Sequence, residues 1–376
     1  MADGSVHGFT HDRYAEVRKV FEDNLASGQD LGASFCATLE GETVVDLWGG
    51  FADAAGTQPW VEDTIVNVYS TTKTMTALTA LMVADRGELD FDAPVAKYWP
   101  EFAANGKQDI KVSQLMSHSA GVSGWALPAT GDMLYDWEKA TSLLAAQAPF
   151  WAPGSAPGYH AMSQGFLVGE VIRRITGKSL GTVFREEIAG PLGADFHIGL
   201  PASEDHRVAE LIPPPPADAS IGEGSGTYKI NNPPIDVSAT RTREWRGAEI
   251  PAAGGTGNAR SVALVQSILA NGGVARGKRF LSEAGCRKAL ELQIEGKDLV
   301  LGIPVRYGMG FGLAGGMVPL PNPNTIYWGG YGGSLVIIDM DAHTTFAYAM
   351  NRMAGTTTGD MRAFSLAMAM WGALAE

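Results

Sequence analysis

The chain has 376 residues, of which 45% are hydrophobic, and its formal net charge is −13 at pH 7. This length is enough for one large hydrophobic core or for two interlocked lobes. Because an acidic protein repels phosphate backbones, the composition argues against nucleic-acid binding.

The start of the chain and its cysteines bear on location. Residues 1–7 contain neither a basic region nor an apolar run, so they do not predict a signal peptide. No apolar stretch is long enough to span a membrane, and membrane insertion is therefore not expected. Cys36 falls in an apolar strand pattern, and neither it nor Cys286 requires an oxidising compartment. We expect a soluble, cytoplasmic protein.

The first elements predicted along the chain are a helix and a hairpin. Apolar residues recur at helical spacing from residue 11 to about residue 28. Residues 31–39 and 43–48 then have the composition of two strands, joined by a turn at Glu40-Gly41.

Residues 69–73, Tyr-Ser-Thr-Thr-Lys, begin the most informative segment. Apolar residues at helical spacing follow, and Gly87 marks the end of that helix. Ser70 therefore lies near the first turn, and Lys73 shares its face with Cβ atoms roughly 5–6 Å apart. A serine hydroxyl becomes a good nucleophile when a neighbour takes its proton, which lysine can do if its surroundings lower its pKa. Taken alone, the pattern also fits a helix-capping serine followed by a solvated lysine.

The middle of the chain predicts helices separated by rigid loops. A short helix is expected at 112–116, before the segment 118–121. The Pro/Gly-rich loop 151–158 leads to Tyr159, which is followed by a longer helix. A further helix begins near Thr182 and ends at the glycine and proline residues of 190–193.

The segment from residue 201 to about residue 250 has little periodicity. In an enzyme, a loop of this length usually forms a wall or a lid over the site. Its turn-forming residues are Pro213 to Pro216, Gly222, Gly224, Gly226, Pro233 and Pro234.

The last third of the chain predicts one helix, several strands and a closing helix. Apolar spacing after residues 254–257 indicates a helix that ends at 271–273. A last helix runs from about residue 358 to residue 374. The predicted strands are 326–328, 334–339 and 344–350.

Strands thus cluster at both ends of the chain and helices in its middle, which predicts an α+β fold. In the simplest arrangement, strands from both ends form one antiparallel sheet, flanked by the terminal helices, with a helical lobe inserted. We expect a single domain, 1–376, with an α/β lobe of 1–68 plus 250–376 and a mainly helical lobe of 69–249. Ser70 lies where the chain leaves the first lobe, so the cleft between the lobes is the expected site.

Three short segments together resemble a known family. They are Ser-Thr-Thr-Lys at 70–73, Tyr-His-Ala at 159–161 and Trp-Gly-Gly at 328–330. Their order and rough spacing resemble those of the serine β-lactamase and penicillin-binding protein superfamily, in which Ser-x-x-Lys carries the nucleophile. The closest resemblance is to the family VIII carboxylesterases, which are related to the class C β-lactamases. It extends from about residue 31 to residue 371 and implies a β-lactamase/transpeptidase-like fold.

The resemblance implies a catalytic role for three side chains. Ser70 would be the acylated nucleophile, Lys73 its electrostatic and proton-transfer partner, and Tyr159 the third member of the site. A phenol titrates near pH 10, and a neighbouring ammonium group favours its ionised form. Either Tyr159 or Lys73 is therefore a candidate base, because coupled groups share their titration.

The resemblance also implies an oxyanion hole. Its two donors would be the backbone N–H groups of Ser70 and Tyr331. Gly329 and Gly330 would let a substrate carbonyl approach the strand closely, since neither carries a side chain.

Two departures from the class C pattern point to the substrate. Those enzymes have Tyr-x-Asn where this chain has Ala161, so the amide that would bind a lactam side chain is missing. They have Lys-Thr-Gly where this chain has Trp328, Gly329 and Gly330, so an apolar ring replaces the cation for a substrate carboxylate. Both changes favour a neutral, small-molecule ester with a short acyl chain. Trp328 would give it an apolar wall.

Two other segments match known motifs but lack the structural context that those motifs require. Residues 177–181, Gly-Lys-Ser-Leu-Gly, match the G-x-S-x-G elbow, but a helical pattern precedes Ser179 where a strand is required. We expect Gly177 to end one helix and Ser179 to cap the next. The G-x-G-x-x-G of 310–315 precedes prolines instead of a helix, so it predicts a strand and a loop.

The histidines do not form a metal motif. His7 and His11 lack the glutamate of a zinc site, and His118 and His160 are expected to be hydrogen-bonded structural side chains. We therefore expect neither a metal nor a cofactor.

Other functions are compatible with the motifs. Within the enzymes, the alternatives are a weak class C-like β-lactamase, a D-amino-acid peptidase or amidase, and an acyltransferase. The non-enzyme alternative is a silent relative that binds peptidoglycan or a partner. The presence of Ser70, Lys73 and Tyr159 together argues against silence.

Overall fold

The computed structural model describes residues 5–216, 232–234, 236–316 and 318–375. Within these residues the strands are β1 His7–Thr10, β2 Gly32–Leu39, β3 Glu42–Gly50, β4 Val66–Asn67, β5 Phe196–His197, β6 Thr256–Gly257, β7 Val274–Ala275, β8 Lys278–Arg279, β9 Ile294–Lys297, β10 Pro304–Tyr307, β11 Gly312–Leu313, β12 Thr325–Gly329, β13 Leu335–Asp339 and β14 Thr344–Met350.

The α-helices within the described residues vary from single turns to helices of 15 residues. They are α1 Ala15–Ala26, α2 Thr72–Asp85, α3 Val112–Met116, α4 Trp137–Ala146, α5 Ser163–Thr176, α6 Leu180–Phe184, α7 Gly190–Leu192, α8 Arg243–Gly247, α9 Ala259–Ala270, α10 Glu283–Arg287 and α11 Met361–Ala375.

Strands from both ends of the chain form one antiparallel sheet, as the sequence predicts. Its order among the described residues is β1-β3-β2-β14-β13-β12-β11-β10-β9. The two ends meet where β14 pairs with β2, with Phe346 opposite Ala37. Helices α1 and α11 pack together, whereas α9 packs on β2, β13 and β14. The α+β, β-lactamase/transpeptidase-like fold is confirmed; the division into lobes at residues 69 and 249 stays a prediction.

The hairpin of β2 and β3 turns where the sequence places it. Glu40 and Gly41 both have positive φ, 51° and 83°. Two successive left-handed residues match the right-handed twist of the strands that they join.

The segment 201–250 is more ordered than its composition suggests. Its described part contains short 3₁₀ helices at Ala202–Arg207 and Val237–Arg241, followed by α8. Brief helical turns have no apolar period to detect, so the pattern missed them. The predicted turn residues Gly222, Gly224 and Gly226 lie outside the described residues.

The short strands β1, β9, β10 and β11 extend the sheet at its two edges. Only β11 coincides with a predicted strand, in the segment 310–315. β9 and β10 were not predicted, because β9 is largely exposed and β10 is mostly half-buried, so neither has a clear apolar alternation. No described helix is both long enough and apolar enough to cross a membrane.

Candidate active site

Ser70 lies in a tight turn at the start of α2. Residues Tyr69–Thr71 form a 3₁₀ turn that leads into the helix, and Ser70 is 8% exposed. The preceding Tyr69 has a φ of 43°, a left-handed value that is rare for a bulky residue. The side chain of Asn67 accepts the Tyr69 N–H at 3.2 Å and donates to Ala253 O at 3.1 Å. This buried amide fixes the turn that presents Ser70.

Lys73 is buried and surrounded by oxygen acceptors. Its Nζ lies 3.0 Å from Ser70 Oγ, 2.6 Å from Ala161 O and 3.0 Å from Ala252 O. Burial lowers the pKa of Lys73 well below its usual value. In its neutral form the amine would keep two N–H bonds for the two carbonyl oxygens, and its lone pair would then be the acceptor for the hydroxyl proton of Ser70.

Tyr159 contacts the same serine from the other side. Its hydroxyl donates to Ser70 Oγ over 2.7 Å, and Lys73 Nζ lies 4.9 Å from the centre of its ring. Burial raises the pKa of Tyr159, and hydrogen bonds with the side chains of Ser70 and Trp328 only partly oppose this effect. The phenol is therefore neutral at pH 7. The structure thus brings together Ser70, Lys73 and Tyr159.

A buried carboxylate that the sequence did not reveal holds Tyr159 in place. Asp298 is fully buried, and its Oδ1 accepts the Tyr159 N–H at 3.1 Å. The same oxygen accepts the N–H groups of Val300 and Leu301, each at 2.8 Å. Its other oxygen accepts the hydroxyl of Tyr307 at 3.2 Å. The only hint in the sequence is an acidic residue directly before an apolar run at 299–301.

Trp328 packs into the site instead of standing open beside it. Its indole is 6% exposed and stacks on the ring of His118, with centroids 5.3 Å apart and planes inclined by 18°. The ring of Tyr159 lies 6.0 Å away on the same cluster. Trp328 therefore supports Tyr159 directly, and its expected role as a substrate wall stays a prediction.

The rings of the two nearby histidines accept hydrogen bonds from backbone N–H groups. His160 Nε2 accepts the Val122 N–H at 3.1 Å, and His118 Nδ1 accepts the His160 N–H at 3.0 Å. Burial lowers the pKa of His118 well below its usual value and that of His160 to about 4. Both rings are neutral at pH 7, and their expected structural hydrogen bonding is confirmed.

The end of β12 packs tightly against the Ser70 turn. A Cβ added to Gly330 would lie 2.1 Å from Val68 O and 3.2 Å from the Ser70 nitrogen, so only glycine fits. Ser334 Oγ donates to Val68 O at 2.9 Å and clamps the two segments. The N–H groups of Ser70 and Tyr331 donate to no other described residue. Both expected oxyanion donors thus have free backbone N–H groups among the described residues.

Beside this constellation lies an apolar cavity of about 440 Å³. Tyr159, Trp328 and Gly329 are part of its wall, and most of the rest comes from β10 with the connection before it and from α11.

The G-x-S-x-G motif lies where one helix ends and the next begins. Gly177 ends α5 with a left-handed φ of 72°, and the side chain of Ser179 caps α6 by accepting the Thr182 N–H at 3.2 Å. Ser179 Oγ itself donates to Glu249 at 2.6 Å. Both predictions for this motif are confirmed.

The fold and the buried serine, lysine and tyrosine define a serine hydrolase of the β-lactamase and penicillin-binding type. A family model described as Beta-lactamase matches residues 17–369, and the chain belongs to this family.

Several known proteins are similar to this chain over almost its whole length. LipL of Mycobacterium tuberculosis, described as an esterase/beta-lactamase, is 35% identical over an alignment of 365 residues, and the match covers 93% of this chain and 83% of LipL. The crystal structure of a family VIII carboxylesterase is 44% identical with a TM-score of 0.93, covering 98% of this chain and 100% of that one. A penicillin-binding protein homologue from Caulobacter crescentus is 38% identical with a TM-score of 0.90 and the same coverage.

Proposed function

We propose that this protein is a carboxylesterase that hydrolyses small, neutral, short-chain esters through an acyl-enzyme on Ser70. The observation that carries the proposal is the convergence of Lys73 Nζ and Tyr159 Oη on Ser70 Oγ, at 3.0 and 2.7 Å. A base and a proton donor on one hydroxyl are what acyl transfer to serine requires.

In the acylation step Lys73 is the base. Its neutral amine takes the Ser70 proton as Oγ attacks the ester carbonyl, and the N–H groups of Ser70 and Tyr331 bind the developing oxyanion. Tyr159 then gives its phenolic proton to the departing alkoxide, which leaves as the alcohol. The products are an acylated Ser70, a Lys73 ammonium and a Tyr159 phenolate, which the ammonium stabilises.

In the deacylation step the roles reverse. The Tyr159 phenolate takes a proton from water, and the hydroxide attacks the acyl carbon. Collapse of the intermediate releases the carboxylic acid and a Ser70 alkoxide, which takes the proton held by Lys73. Every proton is then back at its starting atom, and one ester has been converted into one acid and one alcohol.

The charges around the site support an ester in preference to an anionic lactam. Ala161 has no polar side chain, and Trp328 has no charge. The three arginines of the neighbouring segment have acidic partners: Arg241 bonds to Glu210 at 2.7 Å, and Arg243 and Arg246 lie 2.5 and 3.6 Å from Asp205. A substrate carboxylate would have to displace one of these pairs.

The proposal is tested by acylation of Ser70. A p-nitrophenyl butyrate burst, together with mass spectrometry of the trapped enzyme, should show one butyryl group on the peptide that contains Ser70. Labelling of Ser179 or of no residue, with full turnover, would contradict the acyl-enzyme. The cytoplasmic location stays a prediction.

A further inference from the structure

The cavity next to Tyr159 has the dimensions of a ligand site. Its volume of about 440 Å³ lies within the range of small-molecule pockets, roughly 300–1,000 Å³, and well above a packing defect. It lies between α11 on one side and β10 with the connection before it on the other, against β12. Neither Ser70 nor Lys73 is part of its wall, so it extends away from the nucleophile.

The chemistry of the wall selects apolar groups. Its described residues include no Asp, Glu, Lys, Arg or His, and most of them have aliphatic or aromatic side chains. Helix α11 contributes Met361, Phe364, Met368 and Trp371, the β9–β10 connection contributes Ile303, and strand β10 contributes Val305. Met361 and Met368 are 67% and 63% exposed, so flexible thioethers border the opening. Such side chains adapt to apolar ligands of different shape.

The position of Tyr159 identifies which half of an ester would enter. In the proposed mechanism the acyl carbon is on Ser70, and Tyr159 protonates the leaving oxygen. The hydroxyl of Tyr159 bonds to Ser70 Oγ at 2.7 Å, while the same side chain forms part of the cavity wall. The group attached to the leaving oxygen therefore continues past Tyr159 into the cavity.

We propose that this cavity binds the alcohol portion of the ester and gives the enzyme a preference for alcohols that carry a bulky apolar group. The short acyl group stays beside Ser70. This inference rests on the proposed function, because it assumes that Tyr159 serves the leaving group.

The test compares two acetates of primary alcohols, ethyl acetate and 2-cyclohexylethyl acetate, so that the acyl group is constant. Wild-type enzyme should prefer the larger ester in kcat/KM. Val305→Phe, which fills a half-buried strand position in the wall, should lower the ratio of the two values by about tenfold or more, the usual scale for hydrophobic pockets. Because both values come from one preparation, the ratio is insensitive to loss of folded protein.

Met368→Glu is the second variant, at a position that is 63% exposed, so the new carboxylate is not buried. It should lower the ratio in the same direction, since a carboxylate at the opening disfavours an apolar group. Val61→Glu is the matched control: Val61 is 46% exposed and lies outside the cavity wall, so its ratio should be that of wild type.

Two results would overturn the inference. One is an unchanged ratio in both cavity variants. The other is a shift in an acyl series, ethyl acetate against ethyl 3-cyclohexylpropanoate, that exceeds the shift in the alcohol series. Failure of the proposed function is distinct: Ser70 would then not be acylated, and wild type would hydrolyse neither acetate.

Discussion

The backbone N–H of Tyr159 donates a hydrogen bond of 3.1 Å to the carboxylate of Asp298, which is fully buried. Burying a carboxylate is costly unless it is hydrogen-bonded, and the surrounding donors supply four such bonds. They come from the 159 segment, from the connection after β9 and from β10. Asp298 therefore joins Tyr159 to the hairpin that borders the cavity.

We expect Asp298→Ala to lower kcat at least tenfold with a smaller effect on KM. Loss of the acceptor leaves three backbone N–H groups and one phenol unsatisfied, each costing about 1–3 kcal/mol, and frees Tyr159 to move. Thermal unfolding should show the lost stability, and steady-state kinetics the lost kcat.

Asp298→Asn tests the charge of Asp298 separately from its hydrogen bond to Tyr159. It keeps one oxygen for Tyr159 but removes a charge that raises the pKa of that phenol, so the alkaline limb of the pH profile should move to lower pH. A purely structural Asp298 would leave that limb in place.

The nucleophile is tested by a matched pair of serines. Ser70→Ala should lower kcat by roughly 10⁴-fold or more, the loss that is usual for a covalent nucleophile, and leave the fold intact. Ser179→Ala is the control, because Ser179 caps α6 and bonds to Glu249, and this variant should keep its esterase activity. An inactive Ser179→Ala beside an active Ser70→Ala would exchange the two roles.

Lys73 and Tyr159 should lose function non-additively. Lys73→Ala and Tyr159→Phe each remove a partner of the same Ser70 oxygen, so each should lower kcat steeply. The double variant should be little worse than either single one, since groups that act as a unit do not sum. Additive losses in the cycle would show that the two do not share a proton-transfer step.

Contacts between residues that are close in the sequence could be predicted, whereas contacts between distant residues could not. The pairing of Ser70 with Lys73 follows from helical spacing, because three residues span one turn. The place of Tyr159 at the end of a rigid loop came from the same local pattern, with its role from the family resemblance. Asp298 could not be found this way: it meets Tyr159 across 139 residues, through a hairpin whose strands have no apolar period.

The fold shows the same division. Long apolar segments such as β2, β14 and α9 were predicted, because burial leaves a strong pattern. Trp328, in contrast, has a position that the sequence did not predict. A tryptophan in place of lysine suggested an open apolar wall, yet the ring stacks on His118, a residue whose left-handed φ of 58° no sequence pattern announces. Its partner is set by tertiary packing.

The pH dependence of kcat/KM should report Lys73 at its acid limb. The base must be neutral, so activity rises with pH through the pKa of Lys73, which burial holds well below its usual value. Ionisation of Tyr159 limits activity only above the ordinary phenol pKa of about 10, because burial raises its pKa. Between these limits activity should be flat.

Chemical replacement of one atom checks the assignment of this limb. Lys73→Cys alkylated with bromoethylamine restores the side chain with sulfur in place of a methylene, and the resulting amine is less basic than lysine. The acid limb should move to lower pH. A limb that stays in place would belong to another group, such as His118 or His160. Position 73 is as buried as the native cysteines Cys36 and Cys286, so the variant also carries Cys36→Ala and Cys286→Ala, and it is alkylated in the unfolded state and then refolded.

The last prediction concerns the choice between ester and lactam. We expect kcat/KM for p-nitrophenyl butyrate to exceed that for nitrocefin and for a cephalosporin by several orders of magnitude on one preparation. A β-lactam antibiotic carries a carboxylate that needs a cation and a side-chain amide that needs a polar partner. A missing charge-assisted hydrogen bond costs about 1.5–3 kcal/mol, and neither Ala161 nor Trp328 can replace one. Comparable values for both substrates would contradict this argument.

Trp328→Lys should shift the ratio toward the lactam, because it places an ammonium group where a substrate carboxylate would lie. The same change removes an indole from a buried stack with His118, which lowers stability and disturbs Tyr159 whatever the substrate. Trp328→Met is therefore the matched control, since it removes the ring and adds a flexible chain of similar length without charge. If charge decides specificity, only the lysine variant gains relative lactamase activity. An equal gain in the methionine variant would assign the discrimination to the volume of the ring.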